Sequence, residues 1–248
     1  MVDNNSSDHS AKVVKKYDFV TLIEEKRQGV IHARTTGFDS AKGDIIGRID
    51  ADTILSPNWV ESVSKVFEDK TVDAVSGKAY YMNTACAEML NSIDLYFRRM
   101  LARRLGERVY LWGANMAIRR SSWDKSRPHI CHKGFIHEDF DLAIHVQEQV
   151  GKVVFDERME AFVSSRRIDV GFLNFMKYVL VSPQTYAEHS IRQRWHMYWV
   201  VLSCAIGYFP ARILHRGYNP VTEKFSLTWL LTNRPTIAPR IDPTSNVA

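Results

Sequence analysis

The chain has 248 residues, 45% of them hydrophobic and 25% charged, which excludes a disordered chain and suits one sizeable domain with an appendage. A net charge of +5 favours an anionic partner, whether nucleotide phosphates, an acidic membrane surface or nucleic acid. Three scattered cysteines, Cys86, Cys131 and Cys204, exclude a disulfide framework and point to a reducing compartment.

The opening "VDNNSSD" is neither basic nor apolar, so no signal peptide is expected. Over the first two-thirds, short apolar runs alternate with helical patterns, as in βα units. A helix is expected at residues 8–16, then a strand "FVTLIE" at 19–24 and a helix at 29–40. That helix, "GVIHARTTGFDS", carries Arg34, suited to a phosphate or base edge, and equally readable as an ordinary surface helix.

The next strand, "DIIGRID", reads as buried through Ile45, Ile46 and Ile49 and ends at Asp50, with Asp52 beyond it. Ser56-Pro57 then reads as the start of a helix at 57–68. The two acids therefore stand at a strand's carboxyl end, where open α/β sheets bind ligands. Close like charges are costly without a cation beside them. Mg2+ or Mn2+ takes one or two carboxylates and leaves room for substrate phosphates. The pattern alone fits two solvated loop acids as well, and Asp139-Phe140-Asp141 repeats it on an expected helix.

A strand "DAVSGKAYYM" and a helix at 84–105 follow. On this helix Leu90, Ile93, Phe97, Leu101 and Leu105 share a face, and Arg98, Arg99, Arg103 and Arg104 read as a solvated one. In "RVYLWGANMAI" (108–118) the strand is expected to break at Gly113, Ala114 and Asn115, where a small backbone lets a sugar approach; a simple bulge is the alternative. In "HICHKGFIHED" the positions of His129, Cys131, His132 and His137 do not match a paired-ligand spacing, which argues against structural zinc.

A helix is expected at 138–150, with Leu142 and Val146 toward the core and Glu138 and Asp139 at its mouth. A carboxylate there can accept a proton from a hydroxyl, or merely cap the helix. Strands "KVVFD" and "EAFVSS" complete the first part. Beyond it, Met197 to Ala211 is uncharged and aromatic, too short for a confident span, and suited either to a membrane interface or to a buried core helix.

Taken in order, these segments resemble a family 2 glycosyltransferase of the GT-A fold, the inverting family that uses nucleotide-sugars. The resemblance covers residues 2–167. It rests on "VDNNSSD" for a D-x-x-S-x-D strand end, "GVIHARTTG" for a G-x-x-x-A-R-N-x-G helix, "IDADT" for D-x-D, "WGANMAIRR" for an acceptor-side G-x-N segment and "HEDFDL" for the E-D segment. It implies an α/β, Rossmann-like mixed sheet flanked by helices, spanning 1–168 and lacking the family's first strand and helix. A helical extension over 169–218 and a Pro- and Thr-rich tail over 219–248 would follow.

By the same resemblance Asp3 and Asn4 would touch the nucleoside and Arg34 the base or phosphate. Asp50 and Asp52 would flank a metal-bound diphosphate, with Asp52 ligating Mg2+ or Mn2+. Gly113, Ala114 and Asn115 would meet the acceptor side, Asp139 would be the general base, and Glu138 would bind substrate. The implied reaction is single displacement from a nucleotide-sugar, a UDP-sugar being favoured, to a glycan or lipid-linked acceptor. It is expected in the cytoplasm, at the inner face of the membrane. The alternative is an inactive nucleotide- or glycan-binding fragment. Thr35 stands where the family has Asn, and Ile191 where processive members have Gln, which speaks against a polymer-extruding synthase. Without an aromatic-interleaved sheet motif or a helix-turn-helix, a nucleic-acid partner is not expected.

Overall fold

The computed structural model describes residues 1–85, 87–105, 108–132, 134–149, 151–219 and 221–232. Cys86 and residues 233–248 of the expected tail lie outside the described residues.

A five-stranded mixed sheet forms the centre. Its strands are β3 (Ile45–Ile49), β4 (Ile54–Leu55), β5 (Val72–Met82), β6 (Asn115–Arg119) and β7 (Lys152–Ser164), in the order β3-β6-β5-β7-β4. β5 and β7 run parallel and the other pairings are antiparallel. A separate parallel pair joins β1 (Val2–Asp3) to β2 (Ile23–Glu24).

Strand alternation decides what each face buries. Ala74, Met116 and Ile118 turn toward α2 (Val30–Ser40), α5 (Arg120–Ser126) and α6 (Glu138–Glu148), packing with Phe38, Trp123 and Leu142. Val75 and Ala117 turn the other way, onto Trp59, Val63 and Val66 of α3 (Trp59–Val66). The sheet is thus covered on both faces.

A third cluster joins Leu101 and Leu105, at the end of α4 (Ala87–Arg104), to Ile144 of α6. It also takes in Tyr186 of α7 (Phe172–Glu188) and Met197 of α8 (Met197–Arg216). The carboxyl-terminal helices therefore share a core with the sheet domain, and α7 presses against the helix that carries Asp139.

Several elements differ from the sequence reading. The strand expected at 19–24 shrinks to β2, and Phe19 is exposed. The strand expected at 108–118 begins only at Asn115, after a turn at Gly113 and Ala114. "KVVFD" and "EAFVSS" are one strand: β5 pairs Gly77 with Asp156 but Lys78 with Glu160, so residues 157–159 bulge out of the ladder. Helix α3 starts at Trp59, and no side chain caps it. Ile49 is exposed on edge strand β3, whereas Ile46 is buried as expected. Arg98 is not on a solvated face; it is buried, paired with Asp94 at 2.6 Å and stacked over Tyr110 and Trp112.

Candidate active site

The site is built where β3 ends and α6 begins. Strand periodicity puts Arg48 and Asp50 on the same side of β3. Arg48 reaches the mouth of α6, where its Nη1 and Nη2 donate to Glu138 Oε2 and Oε1 at 2.8 and 2.7 Å. The same guanidinium lies 4.0 Å from Asp50 Oδ1. On the other side Arg34 Nη1 donates to Glu138 Oε2 at 3.1 Å and to the Glu138 carbonyl oxygen. Burial would raise the Glu138 carboxyl pKa, but the two guanidiniums win and hold it below its usual range. Glu138 thus accepts three side-chain hydrogen bonds from the two guanidiniums, two at Oε2 and one at Oε1, and joins them at the mouth of α6.

Asp139, one residue on, is held differently. Its Oδ2 accepts from the Gly113 N–H at 2.8 Å and its Oδ1 from the Phe140 N–H at 2.9 Å. Burial, together with the adjacent Glu138 carboxylate, pushes its pKa up to about 7, against the opposing pull of Arg48 and these two N–H groups. Such a carboxyl is poised to exchange a proton near neutral pH.

Gly113 has a physical reason to be glycine. A Cβ there would lie 2.6 Å from the Arg48 guanidinium carbon, and that guanidinium is fixed by its bidentate bond to Glu138. The turn at Gly113 thus packs against one half of the site while donating to the other.

Asp50 and Asp52 stand at the rim, their side chains 44% and 32% exposed and so reachable by a ligand. Burial raises the Asp50 pKa, and the Glu138 and Asp52 carboxylates add to it while Arg48 opposes. Asp52 Oδ2 pairs with Arg166 at 2.6 Å. Two oxygen donors without a third protein ligand among the described residues fit Mg2+ or Mn2+, whose remaining positions fall to phosphate and water. Tyr178 of α7 packs beside the mouth of α6; Arg167 lies 3.8 Å from its ring centroid and His137 packs edge-on at 4.7 Å. Burial raises the Tyr178 hydroxyl pKa to about 12.

Other residues singled out in the sequence are placed elsewhere. Asn115 is fully buried; its Oδ1 accepts from Trp59 Nε1 at 2.7 Å, and its Nδ2 donates to Lys78 O and Met159 O at 2.9 and 2.8 Å. It stitches strands to α3 and does not face the crevice. Ala114 is buried against Ala79 and Val163. Arg34 has a side chain 1% exposed and meets Glu138 through Nη1, while its Nε and Nη2 are buried without a hydrogen-bond partner. Asn4 donates to Glu25 O and Arg27 O and accepts from the Gly29 N–H, tying β1 to the start of α2. Asp3 accepts from the Ser6 N–H at 3.3 Å and is half-buried.

Arg48, Arg166 and Tyr178 escaped the sequence reading. Only Arg48 had a signal: it lies two residues before Asp50 on one strand, hence on the same face. Arg166 and Tyr178 arrive through tertiary packing alone.

The family model described as glycosyl transferase family 2 matches residues 1–126. Among curated proteins, glycosyltransferase AglE of Haloferax volcanii is 22% identical over 145 residues, covering 55% of this chain and 48% of that protein. Glycosyltransferase GlyG of Streptococcus pneumoniae serotype 4 is 28% identical over 85 residues, covering 32% and 28%. The chain thus spans about half the length of the first of these relatives and less of the second. Among solved structures, glucosyl-3-phosphoglycerate synthase of Mycobacterium tuberculosis, in complex with Mn2+, UDP-glucose and phosphoglyceric acid, superposes with a TM-score of 0.53. The match has 17% identity and covers 77% of this chain and 68% of that one. At that identity the likeness is one of fold.

Proposed function

Since the chain belongs to glycosyl transferase family 2 and has the GT-A fold, we propose that it moves a sugar from a nucleotide-sugar, a UDP-sugar in the first instance, to a glycan or lipid-linked acceptor by single displacement. The observation that carries this reading is the Arg48–Glu138 bridge. It joins the strand end bearing Asp50 and Asp52 to the helix mouth bearing Asp139, so that a diphosphate site and a candidate base share one crevice.

Asp139 takes the proton of the acceptor hydroxyl while that oxygen attacks the anomeric carbon and the bond to the nucleotide diphosphate breaks. The Gly113 N–H fixes the carboxylate for this transfer. Asp50 and Asp52 are the residues that would hold Mg2+ or Mn2+, with Asp52, the ligand the family motif implies, freed for it once Arg166 releases it. When bound, the ion neutralises charge on the departing diphosphate. An exposed ion pair such as Arg166–Asp52 is worth at most about 1 kcal/mol, so its release is no obstacle.

The relative superposed above carries UDP-glucose and Mn2+ in its structure, which supports the choice of donor and metal. Titration of the purified chain with UDP, with and without Mn2+, tests the donor site. Metal-dependent heat, lost in Asp52→Asn, is the expected result; metal-independent binding, or none in folded protein, would refute the donor-site reading and favour an inactive fragment.

We place this activity at a membrane surface. Residues 192–216 qualify by length and apolarity as a span: an 18-residue window within them has mean hydropathy 1.4, yet only 17% of that window is buried inside the protein. Within it, α8 is one-sided: Met197 and Tyr208 are buried, whereas Trp199, Leu202, Ile206, Phe209 and Ile213 are exposed at helical spacing. Such a face, with Arg192, Arg194, Arg212 and Arg216 near its ends, suits a helix lying in an anionic lipid interface.

A further inference from the structure

Helix α6 carries a second group of polar side chains, turned about 200° round its axis from Asp139. Asp141 is fully buried. Its Oδ2 accepts from the Cys131 N–H at 3.1 Å, and its Oδ1 lies 2.9 Å from His189 Nε2 and 3.4 Å from His145 Nε2. The Cys131 sulfur is 3.9 Å from the same His189 nitrogen. One ligand atom from each of these four residues falls within 4.8 Å of all the others. Tetrahedral zinc with bonds of about 2.0–2.3 Å sets its ligands roughly 3.3–3.8 Å apart. Closing around an ion therefore needs shifts of about an ångström.

Two further observations point the same way. His145 Nε2 is buried and has no hydrogen-bond partner: it is near Asp141 Oδ1 but outside hydrogen-bond geometry. The other ring nitrogen, Nδ1, lies 3.3 Å from Glu148 Oε2. A carboxylate on the far nitrogen is the arrangement that turns the near one toward a metal. A hydrogen-bonded Asp–His pair would account for His189, but it leaves His145 Nε2 unsatisfied.

We propose that Cys131, Asp141, His145 and His189 bind one Zn2+ ion. The donor set of one sulfur, two nitrogens and one oxygen suits zinc, whereas Mg2+ and Mn2+ prefer all-oxygen shells, so this site is chemically distinct from Asp50 and Asp52. Four protein ligands close the coordination shell and make the ion structural. It ties the segment before α6, the body of α6 and the residue after α7 to one another, and so fixes the helix whose mouth holds Asp139. The site stands whether or not the chain transfers a sugar.

The test is metal content and cobalt spectroscopy on the full chain. After growth with zinc and desalting, about one zinc per chain is expected by mass spectrometry. Replacement by Co2+ should give the visible bands of a tetrahedral ion and a thiolate charge-transfer band. Cys131→Ala should abolish the charge-transfer band, and His189→Ala should weaken zinc binding at least about tenfold. Asp52→Asn should leave the zinc content unchanged. Folded wild-type protein that neither retains zinc nor gives cobalt bands overturns the proposal, and needs no variant to fold. Zinc lost in Asp52→Asn, or unaffected in both ligand variants, overturns it as well.

Discussion

A carboxyl buried beside another carboxylate keeps its proton longer, and Asp139 does so until about pH 7. Because its folded pKa lies above its ordinary 3.8, the folded state binds the proton more tightly than the unfolded one. Its contribution to stability is therefore full below about pH 4 and is lost as the pH rises toward 7. The base-competent form gains over the upper part of the same window. We expect kcat/KM to rise with pH and level off above about 7, read from initial rates. Asp139→Asn should cost on the order of 100- to 10,000-fold in kcat and leave cooperative unfolding intact. A flat profile in wild type would remove Asp139 from the role of base. Gly113→Ala is a subtler probe, since its Cβ must displace either the Arg48 guanidinium or the turn that donates to Asp139. We expect a loss on the order of 100-fold in kcat from misplacement, with a much smaller change in the urea midpoint.

Among elements, α6 and α8 show how far sequence pattern reaches. The acids at the mouth of α6, with Leu142 and Val146 facing inward, were legible from period and charge, and the structure buries both apolar residues. What the Glu138 carboxylate does was not legible, because its partners Arg34 and Arg48 come from 104 and 90 residues away. For α8 the sequence left core and interface readings open, and the structure buries Met197 and Tyr208 while exposing the row from Trp199 to Ile213. Ile206→Asp, 69% exposed in the middle of that row, should cut cosedimentation with anionic phospholipid vesicles while leaving the unfolding free energy within about 0.5 kcal/mol of wild type. Equal vesicle binding by the variant would remove α8 as the contact.

On the scale of the molecule, Asn115 shows how a motif can be right in place and different in role. It lies where a G-x-N segment suggests an acceptor contact, yet it saturates Trp59 Nε1, Lys78 O and Met159 O in the interior. Asn115→Ala strips a partner from the part-buried Lys78 O and from two buried groups, Trp59 Nε1 and Met159 O, the latter at about 1–3 kcal/mol each. A loss of about 3 kcal/mol or more in urea unfolding is expected, and a substitution with no effect on stability would return Asn115 to the crevice.

The sequence by itself determined the α/β class, the order of most elements, the family, and the placing of Asp50, Asp52 and Asp139 at element ends. All of these follow from local period, charge and motif order, which neighbours along the chain suffice to express. Tertiary structure alone decided that Arg34 and Arg48 converge on Glu138, that Asn115 bonds two strands to α3, that Arg48 links the two halves of the site, and that Cys131 meets Asp141, His145 and His189. Each of these rests on which buried polar group finds which partner. Burial makes an unpaired group so costly that partners are recruited from wherever in the chain the fold brings them.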